Sequence, residues 1–189
     1  MPVLPKEKAH ILQKISDIDW SVWEPKEKAT LLFVFQEDKV LLIRKKRGLG
    51  GGKINAAGGR LEKNETPMQC AVRELEEELC ITVTDPQYAG EIDFQFVDGY
   101  SFHLIVYTGT TFVGTPTETD EAIPLWFPKN AIPYEEMWED DIYWVPTMVR
   151  GQYFYGRFIF DGDKMVDGWM APQGDIDSYL SVTNENMNI

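Results

Sequence analysis

The sequence predicts a single mixed α+β domain, and three observations carry that prediction. Short runs rich in aliphatic and aromatic residues, bounded by polar or glycine-containing turns, recur between residues 29 and 170 and read as strands. Beginning at residue 67, apolar residues instead recur at spacings of three and four, the mark of a helix. The chain has 189 residues, 43% of them hydrophobic. That is enough for one core without disulfides or a structural metal, and mostly strands with two or three helices is an α+β pattern.

Residues 6–18 read as a short amphipathic helix, with Ile11, Leu12, Ile15 and Ile18 at helical spacing. Residues 19–28, with Trp20, Trp23 and Pro25, form a connector, so 1–28 is expected to be an N-terminal extension. Residues 29–36 and 39–46 are strands around a short polar turn. Residues 47–53 (RGLGGGK) are a glycine-rich loop; 54–57 is a short strand, ended by Gly58 and Gly59. Strands are expected at 88–97, 101–113 and 123–127, a loop or short helix at 130–137 and a helix at 142–150. A hairpin joins 153–160 to 164–170 around Asp161-Gly162-Asp163. The main domain is thus 29–172, and 173–189 is a polar, loose tail.

Composition narrows the function. The formal net charge is −13. Such a chain is not expected to bind a nucleic-acid polymer, which requires clustered Lys and Arg against phosphates. A small phosphate-bearing ligand remains compatible if divalent cations stand between it and the protein. No apolar run approaches the roughly 20 residues of a membrane span, and the N-terminus lacks the layout of a secretory signal. Cys70 and Cys80 show no CxxC pattern. They are read as reduced thiols of a cytoplasmic, monomeric protein with no membrane partner.

The chemistry is carried by the helix that starts at Pro67. Thr66 and Gln69 form a capping box, and proline suits the first helical position. Met68, Ala71, Val72, Leu75 and Leu79 make one apolar stripe. Glu74, Glu77 and Glu78 share another face, at i, i+3 and i+4. Their mutual repulsion costs an isolated helix about 0.2–0.5 kcal/mol per pair. A hard cation such as Mg²⁺ turns that repulsion into attraction. A solvated acidic face is the plainer reading of such a helix taken alone.

The surrounding residues decide for the metal. GRLEKNETPMQCAVRELEEELCI fits the pattern G-x5-E-x7-R-E-U-x-E-E-x-G-U, in which U is a bulky aliphatic. Gly59, Glu65, Arg73, Glu74, Leu75, Glu77, Glu78 and Ile81 match, and Cys80 stands where the pattern has glycine. The segment resembles the Nudix box. That resemblance implies a Nudix fold, a curved mixed sheet sandwiched between helices, and hydrolysis of a diphosphate linkage on some group X. It implies Mg²⁺, with Mn²⁺ able to substitute, held by Glu74, Glu77, Glu78 and the Gly58 carbonyl. It also implies a structural Arg73–Glu65 pair. Cation-bridged phosphates and a carboxylate that accepts the proton of the attacking water suit that chemistry. Glu77, Glu78 and Glu121 are the candidates for the base. Cys80 is expected at a helix-ending turn where positive φ favours glycine.

Residues 30–170 resemble more particularly the animal MutT-homologue type of Nudix enzyme, which removes oxidised purine nucleoside triphosphates. The matching pieces include Lys45-Lys46-Arg47-Gly48, Asn55, Gly58-Gly59, Phe94-Gln95-Phe96, Asp120-Glu121 and, most specific of them, Met137-Trp138 with Asp140-Asp141 and Tyr143-Trp144. The resemblance implies a base pocket of Asn55, Trp138, Asp140 and Asp141. Thr30, Lys45, Phe94, Gly58 and Gly59 lie at its edge or near the sugar and phosphates, and Glu121 joins the metal site. Physically, Trp138 offers a flat face to a purine. If the adjacent carboxyls Asp140 and Asp141 enter one pocket, like charges push their pKa values apart, so that one donates and the other accepts. Asn55 can do both.

Plainer readings stand beside these. Trp138 and Phe94 can be core, Asp140-Asp141 can cap the next helix, Lys45 to Arg47 can be a solvated edge, and His10 and His103 carry no catalytic role. Leu49 stands where the relatives have an aromatic residue, and 1–28 has no counterpart in them. The competing functions are a Nudix enzyme for another nucleoside diphosphate derivative, such as a nucleotide sugar or an unmodified dNTP, and a non-catalytic Nudix-fold nucleotide-binding module.

Overall fold

The computed structural model describes residues 12–180. Residues 6–11 of the segment expected as a helix over 6–18 lie outside the described residues. Its described part is a single 3-10 turn, Ile15–Asp17. Strand β1 (Glu27–Gln36) turns back into β2 (Lys39–Lys45). The next two strands correct the sequence reading. Ile54–Asn55 (β3) and Ala57–Arg60 (β4) are separate, and Gly58 and Gly59 lie inside β4 rather than ending a strand. Close approach explains them. Gly58 pairs with Leu31 and Gly59 with Thr30 on β1. A β-carbon on Gly58 would collide with the Thr30 carbonyl oxygen, and one on Gly59 with the Glu74 carboxylate.

Helix α1 (Pro67–Leu79) begins on the box read from the sequence: Thr66 Oγ1 accepts the Gln69 amide at 3.2 Å, and Gln69 Oε1 accepts the Thr66 amide at 2.9 Å. It ends at Cys80 in the left-handed region, φ +59°, where the Cys80 amide closes on the Glu76 carbonyl. A short strand, β5 (Ile81–Val83), comes next, then β6 (Gln87–Phe96) and β7 (Ser101–Gly109). The single strand expected over 101–113 breaks here. Asp85 accepts the amides of Thr110 (3.0 Å) and Thr111 (2.9 Å) and the Thr110 hydroxyl (2.7 Å), which turns the chain into β8 (Phe112–Gly114). Strand β9 (Ala122–Pro128), a 3-10 turn (Tyr134–Glu136), α2 (Asp141–Val149) and the hairpin β10 (Phe154–Asp161) and β11 (Lys164–Met170) complete the domain. Residues 173–180, expected within a loose tail, instead pack. Ile176 is buried, and Tyr179 stacks on Tyr155 at 5.5 Å.

The strands form one mixed sheet in the order β11-β10-β6-β7-β1-β2-β3, with β4 also on β1 and β9 also on β2; β5 and β8 pair separately. Two pairings, β1 with β7 and β6 with β10, are parallel. Alternation along β1 serves two cores. Phe33 and Phe35 face a cluster with Trp144, Val145 and Met148 of α2, whereas Leu32 and Val34 face Ala71, Leu75 and Leu79 of α1. No described helix is long and apolar enough to cross a membrane.

Candidate active site

A cavity of about 380 Å³ opens where the ends of β1, β2, β3 and β4 meet α1 and the start of α2. Acidic residues of α1 line one part of it, aromatic residues and an aspartate pair another. Among the residues singled out from the sequence, Thr30, Lys45, Asn55, Gly58, Gly59, Glu74, Glu78, Phe94, Glu121, Trp138, Asp140 and Asp141 all line this one cavity. Glu77 does not. Its side chain is 56% exposed and faces Arg73 at 3.0 Å.

At the acidic part, the Glu78 side chain is only 1% exposed. Its Oε2 accepts the Gly58 amide at 2.9 Å, and its Oε1 accepts from Lys45 Nζ at 3.2 Å. Burial raises the Glu78 pKa above the ordinary carboxylate range, against the opposing Lys45 charge and the Gly58 amide. Glu74 is raised too, by burial first, although Arg73 Nη1 donates to it at 2.9 Å. Arg73 itself is held by a two-point contact with Glu65, 2.7 and 2.9 Å, and donates to the Arg60 carbonyl. That contact pulls Glu65 down to about 2. Glu121, at the mouth, accepts from Arg47. The buried thiol of Cys70 accepts from the Thr30 hydroxyl at 3.2 Å, and burial pushes it up to about 11; Cys80 is exposed, and both cysteines are free.

Among the described residues no three acidic, His or Cys side chains stand close enough to form a ready cation cage. The glutamates are instead held by Arg73, Lys45 and Arg47. The donor chemistry nevertheless fits a hard cation. Glu74 and Glu78 are two desolvated carboxyls of one cavity, each raised by burial, and the charge of Glu74 raises Glu78 further. A divalent ion would offset the cost of burying those two charges.

In the aromatic part, Trp138 packs edge-on against Phe160, with ring centroids 5.4 Å apart. Asp140 and Asp141 are both buried. Asp140 occupies the position before α2 but makes no capping bond; its Oδ2 accepts Trp144 Nε1 at 2.9 Å. Asp141 Oδ2 accepts the Trp138 amide at 3.1 Å. Burial pushes Asp140 up to about 7, against the Trp144 hydrogen bond. Burial, and then the charge of Asp140, puts Asp141 well above the ordinary range. Burial of two adjacent carboxyls thus favours a proton held on the pair. Asn55 uses its side-chain oxygen on the Ala56 amide (2.8 Å), which leaves its NH₂ for the cavity.

Several contributors were not read from the sequence. Phe102, Tyr100 and Phe160 complete the aromatic wall. The turn at residues 97–100 interrupts the alternation that begins at Phe94 and Phe96, so nothing local marks Tyr100 or Phe102. Lys53 places its ammonium 5.1 Å from the Trp138 ring. Glu139 ties the Trp138 loop to the β10–β11 turn through Lys164 Nζ (2.8 Å) and the Met165 amide (2.7 Å). Away from the cavity, His103 lies between Asp93 (2.7 Å) and Glu91 (3.2 Å), and Tyr155 donates to Asp93.

A curled mixed sheet flanked by helices, with a capped glutamate helix abutting a double glycine, is the framework of a nucleotide-processing class, and comparison agrees. Residues 25–148 match the model of the Nudix domain. The chain belongs to the Nudix family, whose hydrolases generally use divalent metal cations. Within it, the chain is 40% identical over 138 residues to the oxidized purine nucleoside triphosphate hydrolase of Danio rerio, covering 72% of this chain and 88% of that protein. The mouse (Mus musculus) protein of the same name is 39% identical over the same shares. The crystal structure of a MutT protein from Bacillus halodurans has the same fold, with TM-score 0.70 and 24% identity over 77% of this chain and 98% of that one.

Proposed function

We propose that this protein hydrolyses oxidised purine nucleoside triphosphates, such as 8-oxo-dGTP, to the monophosphate and pyrophosphate, and so cleanses the nucleotide pool. One observation carries the reading: the buried Asp140-Asp141 pair, with Trp138 beside it, opens into the same cavity as Glu74 and Glu78. The names of the fish and mouse relatives support it. The domain of residues 29–172 carries the whole site in this reading.

Trp138 and the aromatic wall take the flat base. A protonated aspartic acid donates to a ring carbonyl, its ionised neighbour accepts the N–H that oxidation creates, and Asn55 offers an amide N–H. Glu74, Glu78 and Glu121, with the Gly58 carbonyl, would hold the divalent cation, joined by Glu77 once its side chain turns from Arg73; Mg²⁺ is the choice of an all-oxygen donor set and Mn²⁺ a substitute. When bound, that cation neutralises charge on the phosphates. Lys45 stands by to meet a phosphate oxygen. Water adds its oxygen to phosphorus, its proton passes to one of Glu77, Glu78 and Glu121, and the phosphoanhydride bond breaks with pyrophosphate leaving. Arg73 and Glu65 hold α1 in place.

The test is kcat/KM across a panel of 8-oxo-dGTP, an oxidised dATP, dGTP, dATP and a nucleotide sugar. The expected result is a clear preference for the oxidised purines. Equal values for oxidised and unmodified nucleotides, or a preference for the sugar nucleotide, would overturn it.

A further inference from the structure

The aromatic wall of the cavity includes Tyr100, which lies in the turn between β6 and β7 rather than in a strand. A turn residue has little ladder bonding to hold it, yet Tyr100 is tied at several points. Its hydroxyl donates to Glu27 at 2.6 Å, and its carbonyl accepts the Phe96 amide at 2.8 Å and Gln95 Nε2 at 3.1 Å. Gln95 Nε2 also donates to the Phe96 carbonyl at 2.9 Å. The oxygen of the same carboxamide accepts Trp23 Nε1 at 2.9 Å. Because an indole can only donate and a carbonyl can only accept, these partners specify one orientation of the Gln95 amide. Trp23 is in turn packed on Trp20, centroids 5.3 Å apart, and Trp20 lies on the Arg157 guanidinium at 4.9 Å. The segment ahead of β1 is therefore anchored to β10 at one end and to the pocket turn at the other.

We propose that Trp23 is a positioning residue for the nucleotide base, acting through the Gln95 carboxamide to hold Tyr100 and the turn of the aromatic wall in place. Trp23 is not among the residues that line the cavity, and it precedes the family domain, so the segment before β1 contributes to specificity without meeting substrate. This rests on the cavity being the nucleotide pocket. The relay predicts coupling: once Gln95 can no longer pass the restraint on, the loss of the Trp23 donor matters no further.

The experiment compares the full-length protein with Trp23→Phe, Gln95→Met and the double variant, in steady-state kinetics on 8-oxo-dGTP and dGTP, with thermal melts to establish folding. Each single substitution is expected to raise KM for the better nucleotide about five-fold, the worth of one neutral hydrogen bond. The kcat is expected to stay within about two-fold, because the glutamates are untouched. The KM of the double variant should match that of Gln95→Met alone. Unchanged KM values in melts that show folded protein, a fall in kcat at constant KM, or independent, multiplying effects in the double variant would each overturn the relay. Lack of preference for the oxidised purine in the unsubstituted protein would overturn the substrate reading instead, and the relay would still be read on whichever nucleotide is hydrolysed best.

Discussion

The Glu78 carboxylate reaches from α1 to the Gly58 amide of β4 at 2.9 Å while its other oxygen faces Lys45. This contact welds the acidic helix to the strand whose two glycines admit it. It also keeps a carboxyl in a place where burial makes the charged form costly. An arrangement that is unfavourable without a counter-ion is useful to an enzyme that recruits one with its substrate.

Glu78→Gln retains an oxygen for the Gly58 amide and removes the charge. Turnover should fall at least about 100-fold, and the rise in melting temperature on adding Mg²⁺ should disappear. Because the folded-state pKa of Glu78 is raised, its ionisation weakens the fold as pH climbs above the ordinary glutamate value. The substitution should therefore leave the cation-free melting temperature equal or higher at pH 7. Glu77→Gln tests the exposed member of the trio. Full activity in both variants would remove the metal site from this helix face.

Asp140→Asn and Asp141→Asn should each cut kcat/KM for an oxidised purine about ten-fold or more while changing an unmodified triphosphate far less. Equal losses on both substrates would mean that the pair does not read the base. Stability offers a second readout. Asp140 is pushed up to about 7 from an ordinary 3.8, so the fold binds this proton more tightly than the unfolded chain does. Stability from this group is present at low pH and is lost as pH rises from about 4 through 7. Asp140→Asn should thus melt higher than the unsubstituted protein at pH 8, with the gap closing toward pH 4.

His103 provides a pH test away from the cavity. Burial opposes its charge, but hydrogen bonds and charges from Asp93 and Glu91 outweigh that and lift it to about 9 from 6.5. Its contribution is full below 6.5 and fades as pH climbs through 9. The difference amounts to at most about 3 kcal/mol. The melting temperature should decline across that window, and His103→Gln should be less stable at pH 6 with a flatter profile. An unchanged profile in the variant would show that the imidazole is not charged in the fold.

Cys80→Gly should stabilise. Cys80 is held at φ +59°, a conformation that costs a residue with a β-carbon about 1 kcal/mol relative to glycine. A gain of about 2–4 °C in melting temperature is expected, with kcat and KM unchanged. A loss of stability would mean that the thiol makes a contact worth more than the strain.

Much of this protein is written in local pattern. The Thr66–Gln69 box, the apolar stripe of α1, the three glutamates on its other face and the positive φ at Cys80 are all properties of consecutive residues. Helical periodicity and capping act over a few positions, so these could be read before any fold was known. The β10–β11 hairpin around Asp161-Gly162-Asp163 belongs to the same group. Where the local pattern misled, a distant partner intervened. Gly58 and Gly59 look like a strand end until β1 pairs with them, and 101–113 looks continuous until Asp85 breaks it.

By itself, then, the sequence determined the class of bond this protein attacks, because the Nudix box is a short-range motif with three of its glutamates on one helix. Only the tertiary structure decided what surrounds that helix. The pairings of β1 with β7, of β6 with β10 and of β2 with β3 stand behind a cavity lined by Asn55, Tyr100, Trp138 and the aspartate pair but not by Glu77, and the antiparallel pairing of β6 with β7 sets Asp93 opposite His103. Such contacts join residues far apart along the chain, and no local periodicity records which distant strand will lie alongside.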